Sequence, residues 1–442
     1  MLHVLLFVAS FVGLIISSLI YNPALSFALY EIVYFMNPLE RWWRSSVPGL
    51  SYSFFTVILM MIVLVKNFKE HSSNNPLRVP QMRWMYTLLL LYSITSLYAM
   101  DPLGHARALE NFFKLVLIMT FAFMLATNIE KLKYYIYGYL FGAWYLSFYI
   151  YQQGRTSGDR VEGIGTVDAP DSNGIAAAIA PSVVLAVYYL WQSKRTATKI
   201  VFTVAAIFTA NAIVLINSRG AFLGVALSIA YFFLYMYFAK TRTKRQRSFA
   251  IALTLIGMVG FVKLADQSFL DRMTSITAEK KVNKEQESGG TRTIFWLAAW
   301  EMAKDFPLGN GFRGFDLNAP FYIPADVNTG RSRYRSVHSS WFEALTEIGY
   351  LGLLSLLLMI YAAFRTTKQC KKIMKESGDS ENYYKVVAIE AALIAFLISM
   401  TFMNRMRAEV LYWLILYTAC LHNIYITNKP VELNARSKNH QL

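Results

Sequence analysis

The sequence predicts an all-α protein: a polytopic membrane bundle of about twelve transmembrane helices with one long polar loop that itself contains helices. Two observations carry this prediction. Of the 442 residues, 55% are hydrophobic and 15% are aromatic, which is more than a soluble domain usually carries. Apolar runs of roughly 17–25 residues, the length at which a helix crosses a bilayer, also recur along the whole chain.

Twelve apolar runs are long enough to cross a bilayer. They are 2–21, 50–65, 84–100, 111–128, 134–151, 174–191, 199–217, 220–239, 249–264, 341–364, 385–404 and 408–427. The first run lacks a basic segment and a small-residue cleavage site, so it is predicted to be a span rather than a signal peptide. The run 24–37 is shorter, contains Glu31 and follows Asn22-Pro23. We therefore predict an interfacial or re-entrant segment there.

The positions of lysine and arginine in the short loops orient these spans. Four basic loops fall on one side, which is therefore predicted to be cytoplasmic together with both termini: 66–83, 192–199, 240–247 and 365–384. The segments predicted to lie outside are 153–173, 217–220, 265–340 and 404–408. The net charge of +16 is concentrated in the cytoplasmic loops, where it orients the protein and contacts anionic lipid. No nucleic-acid partner is predicted.

This topology divides the chain into four regions. Residues 1–264 form an N-terminal transmembrane bundle of about nine spans, 265–340 a periplasmic loop, 341–428 the C-terminal transmembrane helices and 429–442 a polar cytoplasmic tail. Loops as long as the second region are usually functional. Within it, apolar residues at helical spacing (Ile294, Leu297, Ala298 and Met302) predict a helix in TRTIFWLAAWEMAKDF, followed by a glycine-rich turn.

The two cysteines, Cys370 and Cys420, have no metal-ligand spacing. The outer loops contain no DxD motif and no cluster of histidine and acidic residues with such spacing. Neither a disulfide framework, nor a metal site, nor a cofactor is predicted.

Several arginines lie on the predicted outer side, where orientation does not require them. Arg219 lies in the tight turn NSRGAFLG, Arg292 at the start of the predicted loop helix, and Arg160 in a glycine-rich loop. Arginine at membrane depth normally pairs or lines a polar cavity, and its fork suits phosphate oxygens. Converging arginines would form a pyrophosphate clamp. For Arg405 and Arg407, which flank another tight turn, an interfacial anchor or an ion pair with an acid is the expected role.

His338 lies directly before the span 341–364, behind three alternating arginines. Ser340 and Glu343 match the S-x-x-E capping box, which predicts a helix start at 340–341. A loop histidine is usually only solvated. Here nearby cations should depress its pKa and keep the imidazole neutral, as a general base requires. The residues predicted to bind substrate around it are Arg160, Arg313, Arg331, Arg333, Arg335, Glu343 and Ser339.

In four places, in the same order, the chain resembles the O-antigen ligases of Gram-negative bacteria and the wider O-antigen ligase/polymerase superfamily. The four motifs are the Arg160 loop ending in DAPDSNGIA, NSRGAFLG with Arg219, GGTRTIFW with Arg292 followed by DFPLGNGFRGF, and VHSSWFEALTEIGYLG with His338. They cover roughly residues 150–365. Many relatives read N-P-N or D-P-N where this chain has DAPDSN at 168–173.

The resemblance implies a membrane glycosyltransferase of the inner membrane. It would transfer a glycan from undecaprenyl diphosphate to lipid A–core oligosaccharide on the periplasmic face, by a metal-independent, inverting mechanism. The donor, the acceptor and membrane lipid are then the expected partners. By the same resemblance, Arg219 and Arg292 hold the donor diphosphate and His338 acts on the acceptor hydroxyl, so these three residues are the predicted catalytic set.

Other functions remain open at this point. A polymerase or a protein O-oligosaccharyltransferase would use the same donor with another acceptor, and no residue pattern separates them from a ligase. A lipid-linked-sugar flippase or transporter should contain internal repeats and polar residues at mid-membrane. No repeat is visible, and the candidate polar residues crowd one face, which favours an enzyme. A purely structural membrane protein would leave Arg219, Arg292 and His338 freely replaceable.

Overall fold

The computed structural model describes residues 1–156, 160–166, 168–169, 171–239, 244–264, 291–327, 329 and 332–428. Within these residues the fold is all-α, as predicted. The α-helices are α1 (Leu2–Ile20), α2 (Leu25–Met36), α3 (Tyr52–Lys66), α4 (Phe68–His71), α5 (Pro80–Thr95), α6 (Pro102–Leu125), α7 (Ile129–Gln153), α8 (Ser172–Gln192), α9 (Thr196–Ile216), α10 (Arg219–Phe238), α11 (Lys244–Leu264), α12 (Thr291–Asp305), α13 (Gly314–Tyr322), α14 (Ser340–Ser377), α15 (Ser380–Met400) and α16 (Glu409–His422). The predicted tail 429–442 and Arg331 lie outside the described residues.

The protein is a polytopic membrane protein. Among the described residues, eight helices are long and apolar enough to cross a membrane, and α3 with the short helices after it, bent by 92°, would make nine. The predicted number of about twelve spans is not confirmed. Helices α5 and α7 lie at the predicted spans 84–100 and 134–151. The first of them has only 16 residues, and the second begins with three charged side chains in its first turns.

The segment 24–37 is a buried helix, and the prediction of an interfacial or re-entrant piece is wrong. Every residue of α2 after Leu25 is buried. Two glycines of α7 allow this close packing: a Cβ at Gly138 would lie 2.6 Å from the Ala28 Cα, and one at Gly142 would lie 2.6 Å from the Phe35 ring. The acidic side chain that suggested a surface position, Glu31, instead accepts a hydrogen bond from the buried Tyr417 hydroxyl.

Because α2 runs through the bundle, α1 and α3 are parallel. The Phe7 ring lies 4.8 Å from the Tyr52 ring at their starts, and Lys66 Nζ donates to the Leu19 carbonyl at 2.9 Å at their ends. The C-terminal segment lies at the second of these ends, where Asn423 Nδ2 donates to Asn74 Oδ1 at 2.7 Å. The two described chain ends are therefore at opposite ends of the bundle. This arrangement differs from the predicted one, in which both termini share one side, because that prediction did not count α2.

One end of the bundle, which we call the loop end, brings together the described residues of the segments predicted to lie outside (within 153–173, 217–220, 265–340 and 404–408) and the turn at 96–101. Met100 N–H donates to the Asn310 carbonyl at 3.0 Å, and the Arg405 side chain donates to the Asp168 carbonyl at 2.6 Å. The opposite end, which we call the tail end, contains Asn74, the loop after α8, the turn between α14 and α15, and Asn423.

The described part of the long loop, 291–339, forms a small core of its own against the loop end. The predicted helix is present as α12, and its Phe295, Ala298 and Met302 are buried against Phe315 of α13. Leu297, predicted on the apolar face, is 68% exposed. The helical spacing identified the helix correctly, but the buried face is turned by about one residue because the bulky Phe295 occupies the core position.

Helix α14 is broken at Gly349, which has a φ of +72°, so the predicted span 341–364 begins with a separate short helix. The break releases two backbone carbonyls from the helical pattern. The Thr346 carbonyl accepts from Asn310 N–H and the Glu347 carbonyl from Gly311 N–H, both at 2.9 Å. The glycine-rich turn at 307–311 thus replaces the lost helical hydrogen bonds and is fixed against α14.

Candidate active site

His338 lies in the last turn of loop before α14, with a left-handed backbone φ of +52°. Burial, together with the positive charges of Arg292 and Arg335, lowers its pKa to about 4, although Asp171 acts in the opposite direction. The sequence predicted a depressed pKa from nearby cations, and burial is the larger cause. The imidazole is consequently neutral at pH 7 and able to accept a proton.

The turn between α15 and α16 holds the His338 loop in place. Asn404 bridges it twice: its Oδ1 accepts from Ser339 N–H at 3.1 Å, and its Nδ2 donates to the Ser336 hydroxyl. The Ser340 hydroxyl donates to the Met403 carbonyl at 2.7 Å and accepts from Arg405 N–H at 2.8 Å. These contacts hold the backbone on both sides of the strained histidine, as expected where a φ of this kind is maintained.

The helix begins at Ser340 as predicted, but the predicted capping box is wrong. The N-cap residue is Ser339, and its side chain makes no capping hydrogen bond. Its hydroxyl is buried and has no hydrogen-bond partner among the residues that the structure describes. The Glu343 carboxylate turns away from the helix start and accepts from Met406 N–H at 2.9 Å. Both members of the S-x-x-E motif are therefore used to attach the helix to the turn at 401–408.

Arg405 and Arg407 form ion pairs, which is the role expected for them. Arg405 pairs with Asp171, the N-cap of α8. A Cβ at Gly174 would lie 2.4 Å from the Arg405 guanidinium, so only glycine leaves room for it there. Arg407 pairs with both Glu343 and Glu347 of α14, and one of its terminal nitrogens donates to the Tyr92 hydroxyl oxygen at 2.9 Å.

The other two predicted catalytic residues begin helices that approach the histidine loop. Arg219 is the first residue of α10, and Arg292 is the second residue of α12. Phe402 connects these two helices: its ring lies within 3.2 Å of the position of a Cβ on Gly220 and 6.3 Å from the ring of Trp296. The Trp296 indole in turn donates to the Val337 carbonyl at 3.1 Å, one residue before the histidine.

Arg160 is bound beside the start of α10. Its Nε donates to the Ile216 carbonyl at 3.2 Å and its terminal nitrogen to Asn173 Oδ1 at 2.9 Å. It therefore connects the end of α9 to the start of α8, next to the turn that carries Arg219. The four sequence motifs that contain Arg160, Arg219, Arg292 and His338 all meet at the loop end.

The remaining predicted arginines bind groups within the loop region itself. Arg313 forms an ion pair of 3.2 Å with Asp316, and its side chain is half exposed. Burial raises the pKa of Asp316 to about 6 in spite of this cation. Arg333 donates to the Ile323 and Pro324 carbonyls. The charge of Arg335 contributes to the low pKa of His338.

The comparison with protein families matches this region of the chain. The O-antigen ligase family model covers residues 204–357, which include Arg219, Arg292 and His338. This match supports the predicted resemblance to the O-antigen ligase/polymerase superfamily. No curated protein matches the chain. The family match covers about a third of the sequence, and the Arg160 loop and the turn at 401–408 lie outside the matched segment.

A groove of about 1060 Å³ opens beside this candidate site, between α3 and α6. At the loop end its walls include Asn404, Arg405, Asp168 and Glu409. Farther along, its α3 wall is apolar (Phe54, Val57 and Met61), and its α6 wall combines Leu115, Leu117 and Ile118 with Arg107, Asn111 and Lys114. The groove therefore has one polar end next to the His338 loop and an apolar surface along α3 and the later part of α6.

The sequence did not identify three parts of this site: Asn404, Asp171 and the groove. A single asparagine in MNRMR has no distinguishing pattern, and Asp171 reads only as a helix N-cap. The walls of the groove read only as apolar spans. Among the described residues, no group of three or more histidine, cysteine or acidic side chains is arranged to hold a metal ion.

Proposed function

We propose that this protein is an O-antigen ligase of lipopolysaccharide biosynthesis: it transfers a glycan from undecaprenyl diphosphate to lipid A–core oligosaccharide at the periplasmic face of the inner membrane. The observation that carries the proposal is the setting of His338. A buried, neutral imidazole is held next to two arginines, Arg292 and Arg335, inside the segment that matches the O-antigen ligase family. A neutral base beside fixed cations suits transfer from an anionic leaving group.

In this reaction the bond between the anomeric carbon and the diphosphate oxygen breaks, and its electron pair leaves with the diphosphate. The acceptor hydroxyl oxygen forms the new bond to that carbon from the opposite face, which inverts its configuration. His338 takes the hydroxyl proton. Arg219 and Arg292 stabilise the charge that develops on the diphosphate, an electrostatic role for which fixed guanidinium groups are suited. No metal ion is required for these steps.

The groove between α3 and α6 supports a substrate with a lipid tail and a polar head. Its apolar walls, such as Val57 and Ile118, suit a polyprenyl or acyl chain, and its polar end reaches Asn404 and Arg405. Arg405 lies two residues before Arg407, which pairs with Glu343. The polar end of the groove is therefore built from a turn that an ion pair holds in place. A lipid-linked substrate would therefore keep its tail in the bilayer while its head lies beside His338.

The loop end faces the periplasm in this proposal, and the charges at the tail end support that orientation. Lys194, Arg195 and Lys199 lie after α8, and further lysines lie at the end of α14. Short loops rich in lysine and arginine remain on the cytoplasmic side. The start of α1 lies at the loop end, so the proposed positions are an N-terminus in the periplasm and a C-terminus in the cytoplasm.

The test is a reconstituted transfer reaction in excess EDTA. Purified protein is incubated with undecaprenyl-diphosphate-linked glycan and lipid A–core, and the products are separated on a gel. Ligated lipid A–core is the expected product. His338→Ala should abolish it, whereas His422→Ala, a histidine at the tail end, should leave it unchanged.

Other products would decide against the ligase assignment. Longer lipid-linked glycan alone would identify a polymerase, and glycan attached to an added acceptor protein would identify an oligosaccharyltransferase. If a natural donor gives no product with any of these acceptors, the enzyme assignment fails and a transporter is favoured. Restoration of product only after addition of a divalent cation would contradict the metal-independent mechanism.

A further inference from the structure

A second groove lies at the tail end, far along the bundle from His338. It has a volume of about 500 Å³ and lies between α10, α14 and α15. Its lining combines four lysines with aromatic side chains and one acid: Lys368, Lys371, Lys372, Lys375, Tyr231, Tyr235, Tyr383, Phe364 and Glu390. The proposed transfer reaction uses none of these residues, and a concentration of cations beside aromatic rings needs its own explanation.

The base of this groove is a buried ion pair. Lys371 pairs with Glu390, and their side chains are only 11% and 6% exposed. Lys371 Nζ also donates to the hydroxyls of Tyr235 at 3.0 Å and Tyr231 at 3.3 Å. The charge of Lys371 is thus compensated within the protein. It orders the wall of the groove and directs the two tyrosines, and it does not supply the groove's excess positive charge.

The excess positive charge of this groove comes from the exposed lysines along its rim. Lys368, Lys372 and Lys375 follow one another at spacings of four and three residues on α14, so they share one face of the helix. All three are exposed. The acid paired with this rim is Glu376, 3.9 Å from Lys372, and both side chains are more than half exposed. An exposed pair of this kind is weak, so the rim remains strongly cationic.

The same face of α14 is apolar nearer the middle of the bundle. Leu354, Leu357 and Tyr361 lie one helical turn apart and are 49%, 45% and 61% exposed. From the break at Gly349 to Ser377, the helix is about 42 Å long at 1.5 Å per residue. That exceeds the hydrocarbon thickness of about 30 Å. The lysines therefore lie where the helix leaves the membrane, and the leucines lie at the depth of the acyl chains.

We propose that this groove is a binding site for an anionic phospholipid. The lipid phosphate lies between Lys368, Lys372 and Lys375 and accepts hydrogen bonds from their ammonium groups. An acyl chain follows the exposed stripe of Leu354, Leu357 and Tyr361 towards the centre of the bilayer. This continuity of a basic rim with an apolar stripe on one helix face specifies a lipid rather than free phosphate, since soluble phosphate would leave the stripe unused.

The test measures lipid binding without reference to transfer activity. The protein is purified in neutral detergent and stripped of lipid, and then cardiolipin, phosphatidylcholine or inorganic phosphate is added. The readouts are the thermal unfolding temperature and the mass of lipid that stays bound in native mass spectrometry. Cardiolipin should raise the unfolding temperature and remain bound, and the other two additives should have little effect. The combined variant Lys368→Gln, Lys372→Gln, Lys375→Gln should bind cardiolipin roughly 10- to 100-fold more weakly.

A matched variant separates this site from general attraction of lipid to the basic end. Lys194→Gln, Arg195→Gln, Lys199→Gln removes the same number of exposed charges from the same end of the bundle. It should retain the cardiolipin affinity of the unmodified protein. Equal weakening in the two triple variants would overturn the proposal, because the lipid would then respond only to total charge. Equal stabilisation by inorganic phosphate or by phosphatidylcholine would overturn it as well.

Discussion

The backbone N–H of Ser339 donates a hydrogen bond of 3.1 Å to the side-chain oxygen of Asn404. This bond joins the loop of the proposed base to the turn between α15 and α16, which also contributes Arg405 and Arg407. His338 lies between this bond and the Asn404 bond to Ser336. The left-handed backbone of the histidine is thus fixed on both sides by one side chain.

Replacement of Asn404 by alanine should release the histidine loop. Because misplacement of a reacting group by about 1 Å can cost up to about 100-fold in rate, we expect transfer by Asn404→Ala to fall by about 10- to 100-fold. The measurement is the rate of ligated product formation with purified variants. Asn75→Ala provides the control, since Asn75 also accepts a backbone N–H, from Leu77, but at the tail end. Equal rates for the two variants would contradict a positioning role for Asn404.

The pKa of His338 predicts how transfer depends on pH. The base must be neutral, and with a pKa of about 4 it stays neutral down to about pH 5. Activity should therefore be level from pH 8 to about pH 5 and fall as pH drops through about 4. Arg335→Gln removes one of the charges that lower the pKa, so its midpoint should move upward, towards the usual value of 6.5. Profiles of kcat/KM against pH test this, and an unchanged midpoint in the variant would refute the electrostatic argument.

The same pKa predicts a change in stability. The folded-state pKa of His338 lies below the usual 6.5, so the unfolded chain binds more protons between those two values. Stability should be constant with pH above 6.5 as far as this residue contributes, and it should decline as pH falls from 6.5 towards 4. His338→Gln should reduce that decline. Unfolding temperatures measured at several pH values check the difference between the two proteins.

Substitution of lysine for arginine distinguishes a diphosphate contact from a structural one. A single ammonium group cannot reproduce the forked contact of a guanidinium, so Arg219→Lys should lower transfer by about 100-fold. Arg333 donates to carbonyls of its own loop, and Arg333→Lys should mainly lower the unfolding temperature. Transfer rates and unfolding temperatures are measured for both variants. If Arg219→Lys transfers glycan at the rate of the unmodified protein, Arg219 is only an interfacial anchor and does not bind the diphosphate.

The break in α14 requires glycine because of its positive φ and because a Cβ would have no space there. Gly378 shares only the positive φ, so it serves to distinguish the two effects. Gly349 and Gly378 have φ values of +72° and +74°. A Cβ on Gly349 would lie 2.2 Å from the Pro307 carbonyl oxygen, whereas no atom lies within 4 Å of one on Gly378. Gly378→Ala should cost about 1 kcal/mol from backbone strain alone. Gly349→Ala should cost about 3 kcal/mol or more, since the turn at 307–311 must also move. Similar unfolding temperatures for the two variants would disprove the steric argument.

The sequence predicted the elements of this protein better than their arrangement. Apolar runs located the membrane helices, helical spacing located α12, and the residues of VHSS located the start of α14. The segment 24–37 was misjudged because a short run with an acidic residue resembles surface structure. Only the position of Gly138 and Gly142 opposite it allows that run to be buried. Because α2 lies between α1 and α3 in the chain, burial of α2 within the bundle also decides the direction of α1 and the end of the bundle at which the chain begins.

The pattern of residues by itself determined that the chain is an all-α membrane protein and brought Arg160, Arg219, Arg292 and His338 forward as one set. Composition and spacing are local properties, and the membrane requires long apolar helices whatever their neighbours are. The tertiary structure decided which charged side chains form ion pairs with one another. Arg405, Arg407, Arg313 and Glu343 have partners that lie far away in the chain or on a neighbouring turn, and Asn404 acts only through a loop 65 residues before it. Electrostatic effects depend on distance and burial, and only the folded chain sets both.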